Sequence, residues 1–307
     1  MQHFQNLKEI NLENCWLTIG NFDGVHVGHQ QIIKPLVAGA HNLGEPAAVV
    51  TFHPNPLLVI KDEIRPFYLT LPDVKAQILE SFGVDYVLTY PFLKTTSKMT
   101  AKDFIDELFT HFKFTHLLIG HDFALGKDRE GDSSSLQEFG GIYGYELHKI
   151  PPHVLGEDIV SSSLIRRKIR EGDIESANQM LGRPFEISGT VVSGANRGKS
   201  LGFATSNLDV PEQVVDIKPG VYACWTEVRG ETWQAVTNIG YRPTFSEGLT
   251  SPKIEAHLLD FSDDLYGESI KLRFIARLRD EMKFEEISSL QAQISDDISI
   301  TKGILKE

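Results

Sequence analysis

Residues 15–29, CWLTIGNFDGVHVGH, join an apolar β-type run to a glycine-punctuated turn, and a stretch of helical period, GHQQIIKPLVAGAHNLG, follows from residue 28. Strand, tight turn and helix in that order open a βαβ unit, and the pattern recurs up to about residue 150. The runs AAVVTF (47–52), YVLTY (86–90), HLLIG (116–120) and YELHKI (145–150) alternate with the helical segments LPDVKAQILESFG (71–83), TAKDFIDELFTHF (100–112) and SSSLQEFGG (133–141). Right-handed crossovers between such elements build a parallel sheet covered on both faces. Sheets of this kind take ligands beyond the C-terminal ends of their strands. The loops GNFDGVHVGH (20–29), FHPNP (52–56) and GHDFALGKDREGD (120–132) each begin where a strand run stops, so a ligand site is expected among them.

Outward from this half the pattern changes. Residues 161–181 are helical, with a break at Gly172 and a new N-cap at Asp173. After GRP (182–184) the period becomes two. EISGTVVSG (186–194), GVYACWTEV (220–228), TWQAVTNIG (232–240), KIEAHLLDF (253–261) and SIKLRFIARL (269–278) alternate as strands of a closed antiparallel barrel, and residues 284–305 return to helix. The expected organisation is an α/β Rossmann-like domain over residues 1–183, then a barrel domain over 184–307 with a C-terminal helix.

Composition agrees and excludes other classes. At about 150 residues per domain, 307 residues fit two domains. A formal charge of −12 argues against a protein that binds nucleic-acid backbone by counterion release. No run approaches 18 apolar residues, so no membrane span is expected, and the first residues lack a signal-peptide pattern. Cys15 and Cys224 are far apart, which suits small buried side chains in a reducing cytoplasm rather than a disulfide or zinc framework.

The turn at residues 20–29 carries the first chemistry. Gly20, Gly24 and Gly28 allow close backbone approach, and the helix that follows aims unpaired N–H groups at the turn, which suits an anion. His26 and His29 stand three apart, where imidazoles can donate to phosphate oxygens. On pattern alone, a phosphate cradle and a glycine turn bearing surface histidines stand level. In the second half, GANRGKS (194–200) lacks one residue of the P-loop spacing and does not precede a helix, so a Walker site is excluded. Thr205 and Asn207 on their own read as a polar turn at a barrel rim, and Glu255 as a carboxylate pointing out of a half-buried strand.

The motifs taken together resemble a known family. GNFDGVHVGH is similar to the HxGH signature of nucleotidyltransferases in the form found in bacterial bifunctional FAD synthetases (riboflavin kinase/FMN adenylyltransferase). TFHPNP (51–56), GHDFALGKDREGD and SSSLIRRKIREGDIESANQMLGRP (161–184) resemble further motifs of that family in the same order. VVSGANRGKSLGFATSNL (191–208), KPGVYA, NIGYRPTF (238–245), IEAHLLDF, DLYG and LRDEMKF (278–284) extend the resemblance over nearly the whole chain. It implies a nucleotidyltransferase domain followed by a riboflavin kinase barrel. The second half would phosphorylate riboflavin to FMN, and the first would join FMN to the adenylyl group of ATP, giving FAD and pyrophosphate.

Roles follow from the resemblance. His26, His29, the Gly28 backbone and Arg166 would stabilise charge at the α-phosphorus. Gly20, Asn21, Phe22, Asp23, Gly24, Asp122, Ser161, Ser162 and Ser163 would contact the nucleotide. The turn at Gly198 and Lys199 would hold the kinase ATP, Thr205 and Asn207 would ligate Mg²⁺, Glu255 would be the general base, and Arg279 would lie near the flavin. FMN phosphate is largely ionised at neutral pH, its second pKa being near ~6, whereas the ribityl alcohol must lose a proton. Only the kinase half therefore needs a base. Lys199, Ala204 and Ser206 stand where the family has Arg, Pro and Ala, and Ala124 and Leu125 replace commoner residues of the DFRFG loop. Two other readings remain: an enzyme active only in its adenylyltransferase half, and a non-catalytic flavin-binding protein.

Overall fold

The computed structural model describes residues 1–193, 203–241 and 252–306. The chain forms two compact units, one from Met1–Ile64 and Thr70–Ser162, the other from Arg65–Leu69 and Ser163–Glu307. The boundary read from sequence fell at Arg183. In this division the two helices before it group with the barrel, and so does the five-residue stretch from Arg65.

The first unit contains β1 (Gln2–Phe4), β2 (Trp16–Ile19), α1 (Val27–Asn42), β3 (Ala47–His53), α2 (Pro56–Lys61), α3 (Pro72–Ser81) and β4 (Tyr86–Pro91). It continues with α4 (Ala101–Phe112), β5 (His116–Gly120), α5 (Ser133–Tyr143), β6 (Glu146–Ile150) and the small hairpin β7 (Val154–Leu155) and β8 (Asp158–Ile159). Six strands form one sheet in the order β1-β4-β3-β2-β5-β6, all parallel. The expected strands are present, and β1 and the hairpin are additions. The inner strands β2 to β5 are mostly apolar because helices cover both faces, whereas the edge strand β6, ELHKI, keeps one face polar. Leu17, Ile19, Leu117 and Ile119 meet Phe104, Ile105 and Leu108 of α4, while Val49, Val87 and Leu118 meet Ile33 and Leu36 of α1 and Leu79 of α3. Strand order reverses at β2, flanked by β3 on one side and β5 on the other. The turns after β2 and β5 therefore open into the crevice where doubly wound sheets bind ligands.

The second unit begins with α6 (Ser162–Glu171), whose first residue still belongs to the first unit, and α7 (Ile174–Leu181). Then come β9 (Phe185–Val192), β10 (Ser206–Asp209), β11 (Gly220–Val228), β12 (Glu231–Tyr241), β13 (Pro252–Leu258), β14 (Ser269–Arg279) and α8 (Ile287–Ile304). The six strands close a barrel in the order β10-β13-β12-β11-β14-β9 through antiparallel pairs. Alternation fills its interior with Ile187, Leu208, Tyr222, Cys224, Ile239, Ile254, Ala256, Leu272 and Phe274. α8 lies on the outside, with Ile298 packed against Val221, Val236, Leu259 and Leu278. Arg65–Leu69 pairs with the segment before β11: Phe67 and Tyr68 N–H groups both donate to the Gln213 carbonyl at 2.9 Å, and Val215 N–H donates to the Tyr68 carbonyl. Both cysteines are buried and free, and burial pushes each thiol up to about 12.

Candidate functional site

The turn between β2 and α1 is shaped by its own backbone. Phe22, Gly24 and Val25 have φ of 45°, 82° and 40°, left-handed values that suit the glycine and strain the other two. Buried contacts hold this shape. The Asp23 carboxylate, 1% exposed, accepts from Thr70 N–H at 3.0 Å, Gly24 N–H donates to the Thr70 hydroxyl at 3.0 Å, and the Ser162 hydroxyl donates to the Asp23 carbonyl at 2.8 Å. The Asn21 carbonyl accepts from the Thr51 hydroxyl at 2.9 Å and from Lys75 Nζ at 2.8 Å. The Phe22 ring is in the core, edge-on to His29 with centroids 5.1 Å apart.

His26 caps α1. Its Nδ1 accepts from His29 N–H at 3.3 Å, so the ring proton sits on Nε2 when the imidazole is neutral. The two imidazoles stack with centroids 3.6 Å apart. A Cβ on Gly28 would lie 3.1 Å from the His26 ring, so a larger residue there would press on that imidazole. Burial, then His26 and Lys75, holds His29 well below the ordinary histidine range, and its buried Nδ1 has no partner among the described residues. The outcome is a half-buried imidazole held toward its neutral form, with one ring nitrogen that has no partner among the described residues.

Lys75 was not singled out by the sequence reading. It is 3% exposed on α3, also donates to the Thr51 hydroxyl at 2.9 Å, and burial lowers its ammonium to about 8. A signal was present: Pro72, Lys75, Ala76 and Leu79 follow i, i+3, i+4, i+7, which places a cation on an apolar helix face. Burial followed by Lys75 also lowers His53 of the FHPNP loop.

The remaining expected residues of the first half are placed as follows. Asp122 is exposed in the loop after β5, and its carbonyl accepts from Arg129 at 2.9 Å. Ser161 is half-buried and Ser163 exposed at the start of α6. Arg166 belongs to the second unit, 6% exposed, where its Nε donates to the Phe67 carbonyl at 2.8 Å and its guanidinium lies 3.7 Å over the Phe67 ring.

In the barrel, register creates a row that sequence spacing does not reveal. Asn207 of β10 faces Glu255 of β13, which faces Asn238 of β12, which faces Val221 of β11, which faces Arg279 of β14. Ile254 and Ala256 point inward, so Glu255 and its row lie on the outer face. Thr205 immediately precedes β10, two residues before Asn207. A hydroxyl and an amide oxygen beside a carboxylate form a hard donor set suited to Mg²⁺ alongside phosphate oxygens. Glu255 Oε1 accepts from Lys253 Nζ, and Asn238 Nδ2 donates to Glu281 at 3.2 Å. Asn238 and Glu281 were missed from sequence because only tertiary contact brings them to the row, whereas Lys253 shares the Glu255 face by its two-residue spacing on β13. Arg279 makes a bidentate ion pair with Asp297 of α8, 2.9 Å from Nε and 2.7 Å from Nη2, and the Asp297 side chain is 3% exposed. Gly198 and Lys199 lie outside the described residues.

The FAD synthetase family model matches residues 8–164 and the riboflavin kinase model residues 181–305. A bifunctional riboflavin kinase/FMN adenylyltransferase of Escherichia coli is 37% identical over 294 residues, covering 95% of this chain and 93% of its own. The protein of the same name from Haemophilus influenzae is 35% identical over 307 residues and 99% of each chain, and that of Bacillus subtilis 35% identical over 284 residues, 92% of this chain and 89% of its own. A crystal structure described as a macrolide-efflux protein from Streptococcus pneumoniae superposes with a TM-score of 0.89 at 25% identity, covering 98% of each chain. No described helix of the present chain is long and apolar enough to cross a membrane, and that likeness bears on the fold. Matched by both models in turn and by relatives along nearly its whole length, the chain belongs to the bifunctional riboflavin kinase/FMN adenylyltransferase family.

Proposed function

We propose that this chain makes FAD from riboflavin in two ATP-dependent steps, the activities for which its relatives are named. The division of labour is placed at residues 1–183 for adenylyl transfer and 184–307 for phosphorylation. The observation that carries the reading is the pair of unlike sites, a stacked pair of imidazoles in the first unit and a carboxylate beside oxygen donors in the second.

In the first step Glu255 takes the proton of the terminal ribityl hydroxyl as that oxygen attacks the γ-phosphorus of ATP, and ADP leaves. Thr205 and Asn207 would hold Mg²⁺, which when bound neutralises charge on the phosphates. Gly198 and Lys199 would border this ATP. Arg279, through Asp297, keeps α8 against the barrel face near the flavin.

In the second step an FMN phosphate oxygen attacks the α-phosphorus of a second ATP, forming the new P–O bond of FAD as pyrophosphate leaves. That oxygen is already anionic, so the site aligns it and stabilises charge. His26 and His29 would do so as hydrogen-bond donors, together with N–H groups around Gly28, hydroxyls of Ser161 to Ser163, and Arg166. Asp122 and the turn from Gly20 to Gly24 would bound the nucleotide. The substrates are small molecules, with no role assigned to nucleic acid or membrane, and the setting is the cytoplasm.

A chromatographic time course from riboflavin, ATP and Mg²⁺ tests this directly. FMN should appear first and FAD after it, and folded protein that makes neither from its precursor would overturn the reading.

A further inference from the structure

At the end of the parallel sheet where the strands begin, away from the nucleotide turns, a second group of imidazoles gathers. His116 starts β5, Glu146 starts β6, and His148 follows Glu146 by two residues, so all three share one face. Leu117 and Leu147 point the other way, into the core beneath α4 and α5. His116 Nδ1 lies 3.0 Å from His148 Nε2, and the Glu146 oxygens lie 3.9 and 3.7 Å from those two nitrogens. One ligand atom from each residue falls within 4.8 Å of the others.

The rings are held in place. Trp16 stacks on His116 at 3.9 Å and lies nearly parallel to His148 at 5.8 Å. On its other side the indole is pressed against α1 so closely that a Cβ on Gly39 would fall 2.2 Å from it. His116 and His148 side chains are 19% and 31% exposed, and Glu146 is 66% exposed, so an ion has a path in.

We propose that His116, Glu146 and His148 form a binding site for a borderline divalent metal ion of the Zn²⁺ and Ni²⁺ class, with water completing the coordination. Two imidazoles and a carboxylate match that class, whereas Mg²⁺ selects oxygen donors. Ligands about 2.1 Å from a tetrahedral metal stand about 3.4 Å apart, so the nitrogens need to part by only a few tenths of an ångström while the carboxylate swings in. Without a metal, one proton must serve two converging lone pairs, and burial and His148 keep His116 below the ordinary histidine range. The ion would tie the edge strand β6 to β5, independently of the flavin chemistry proposed above.

The test uses full-length protein stripped with EDTA and free of nucleotide. Calorimetric titration with Zn²⁺ should show one equivalent bound, and Ni²⁺ should quench tryptophan emission with the same stoichiometry. His116→Ala and His148→Ala should each weaken binding by at least ~10-fold to 100-fold, the loss typical of even an outer-shell partner. Trp16→Phe should keep the calorimetric binding but lose the emission change, since Trp16 is the indole stacked against His116 and His148. His26→Ala should leave the equivalent in place. Absence of Zn²⁺ binding by the wild type, binding that persists in His148→Gln and His116→Ala, or binding removed instead by His26→Ala would each overturn the proposal.

Discussion

On the proposed function, the two units would handle phosphorus with opposite materials. In the first, a backbone bent into left-handed values presents a stacked pair of imidazoles, locked from behind by the buried Asp23, Thr70 and Lys75. In the second, an outer barrel face carries Asn207, Glu255 and Asn238 side by side. On that proposal the difference follows the nucleophile. A phosphate that is already anionic needs alignment and nearby donors, and preorganised backbone provides both. An alcohol needs a base that can gain and lose a proton, which a half-exposed carboxylate does more readily than a buried one.

Four experiments break or sharpen this contrast. Glu255→Gln should lower riboflavin phosphorylation by roughly 10²–10⁴-fold, the range for a general base, and leave FAD formation from supplied FMN intact. His26→Ala should do the reverse, reducing FAD formation by roughly 10²–10³-fold, comparable to loss of an oxyanion donor, with phosphorylation unchanged. Product chromatography reads both, and equal damage to both steps by either substitution would erase the contrast.

Asp297→Asn should destabilise the second unit by about 3 kcal/mol, because it leaves the Arg279 guanidinium with half its partner, and a urea midpoint measures it. Lys75→Met tests the enclosure of the first site through pH. The folded-state ammonium titrates near 8 against an ordinary 10.5, so between those values the unfolded chain holds more protons and the Lys75 contribution to stability rises with pH. Wild type should therefore gain on the Met variant from pH 8 to 10.5, read as the difference between paired melting curves. A difference that stays flat would mean that Lys75 is solvated.

Much of this was legible in the sequence. The inner parallel strands β2 to β5 announce themselves as apolar runs, and the barrel strands as alternating ones, because sheet burial writes those periods directly into residue order. β10 was missed for a physical reason: SNLD is four residues long and mostly polar, and it becomes a strand only through partners in β9 and β13. β1 is shorter still and pairs with β4 far along the chain. His26, His29 and Glu255 were visible as residue types, but the stacking of the imidazoles and the Asn207–Glu255–Asn238 row depend on tertiary geometry. Lys75 shows the remaining gap, since a lysine on an apolar helix face is more often assumed to reach solvent than to brace a turn.

The stretch from Arg65 to Leu69 has a practical consequence for dissecting the protein. Polypeptide passes from one unit to the other at 64/65, at 69/70 and again at 162/163, so no single cut yields two whole pieces. A fragment beginning at residue 184 would lack the neighbour of Val215, along with Arg166 and the ring it covers. Poor behaviour of such a truncation would reflect a missing ribbon of main chain and two missing helices rather than defective chemistry, and point variants in the intact protein are the sounder way to separate the two activities.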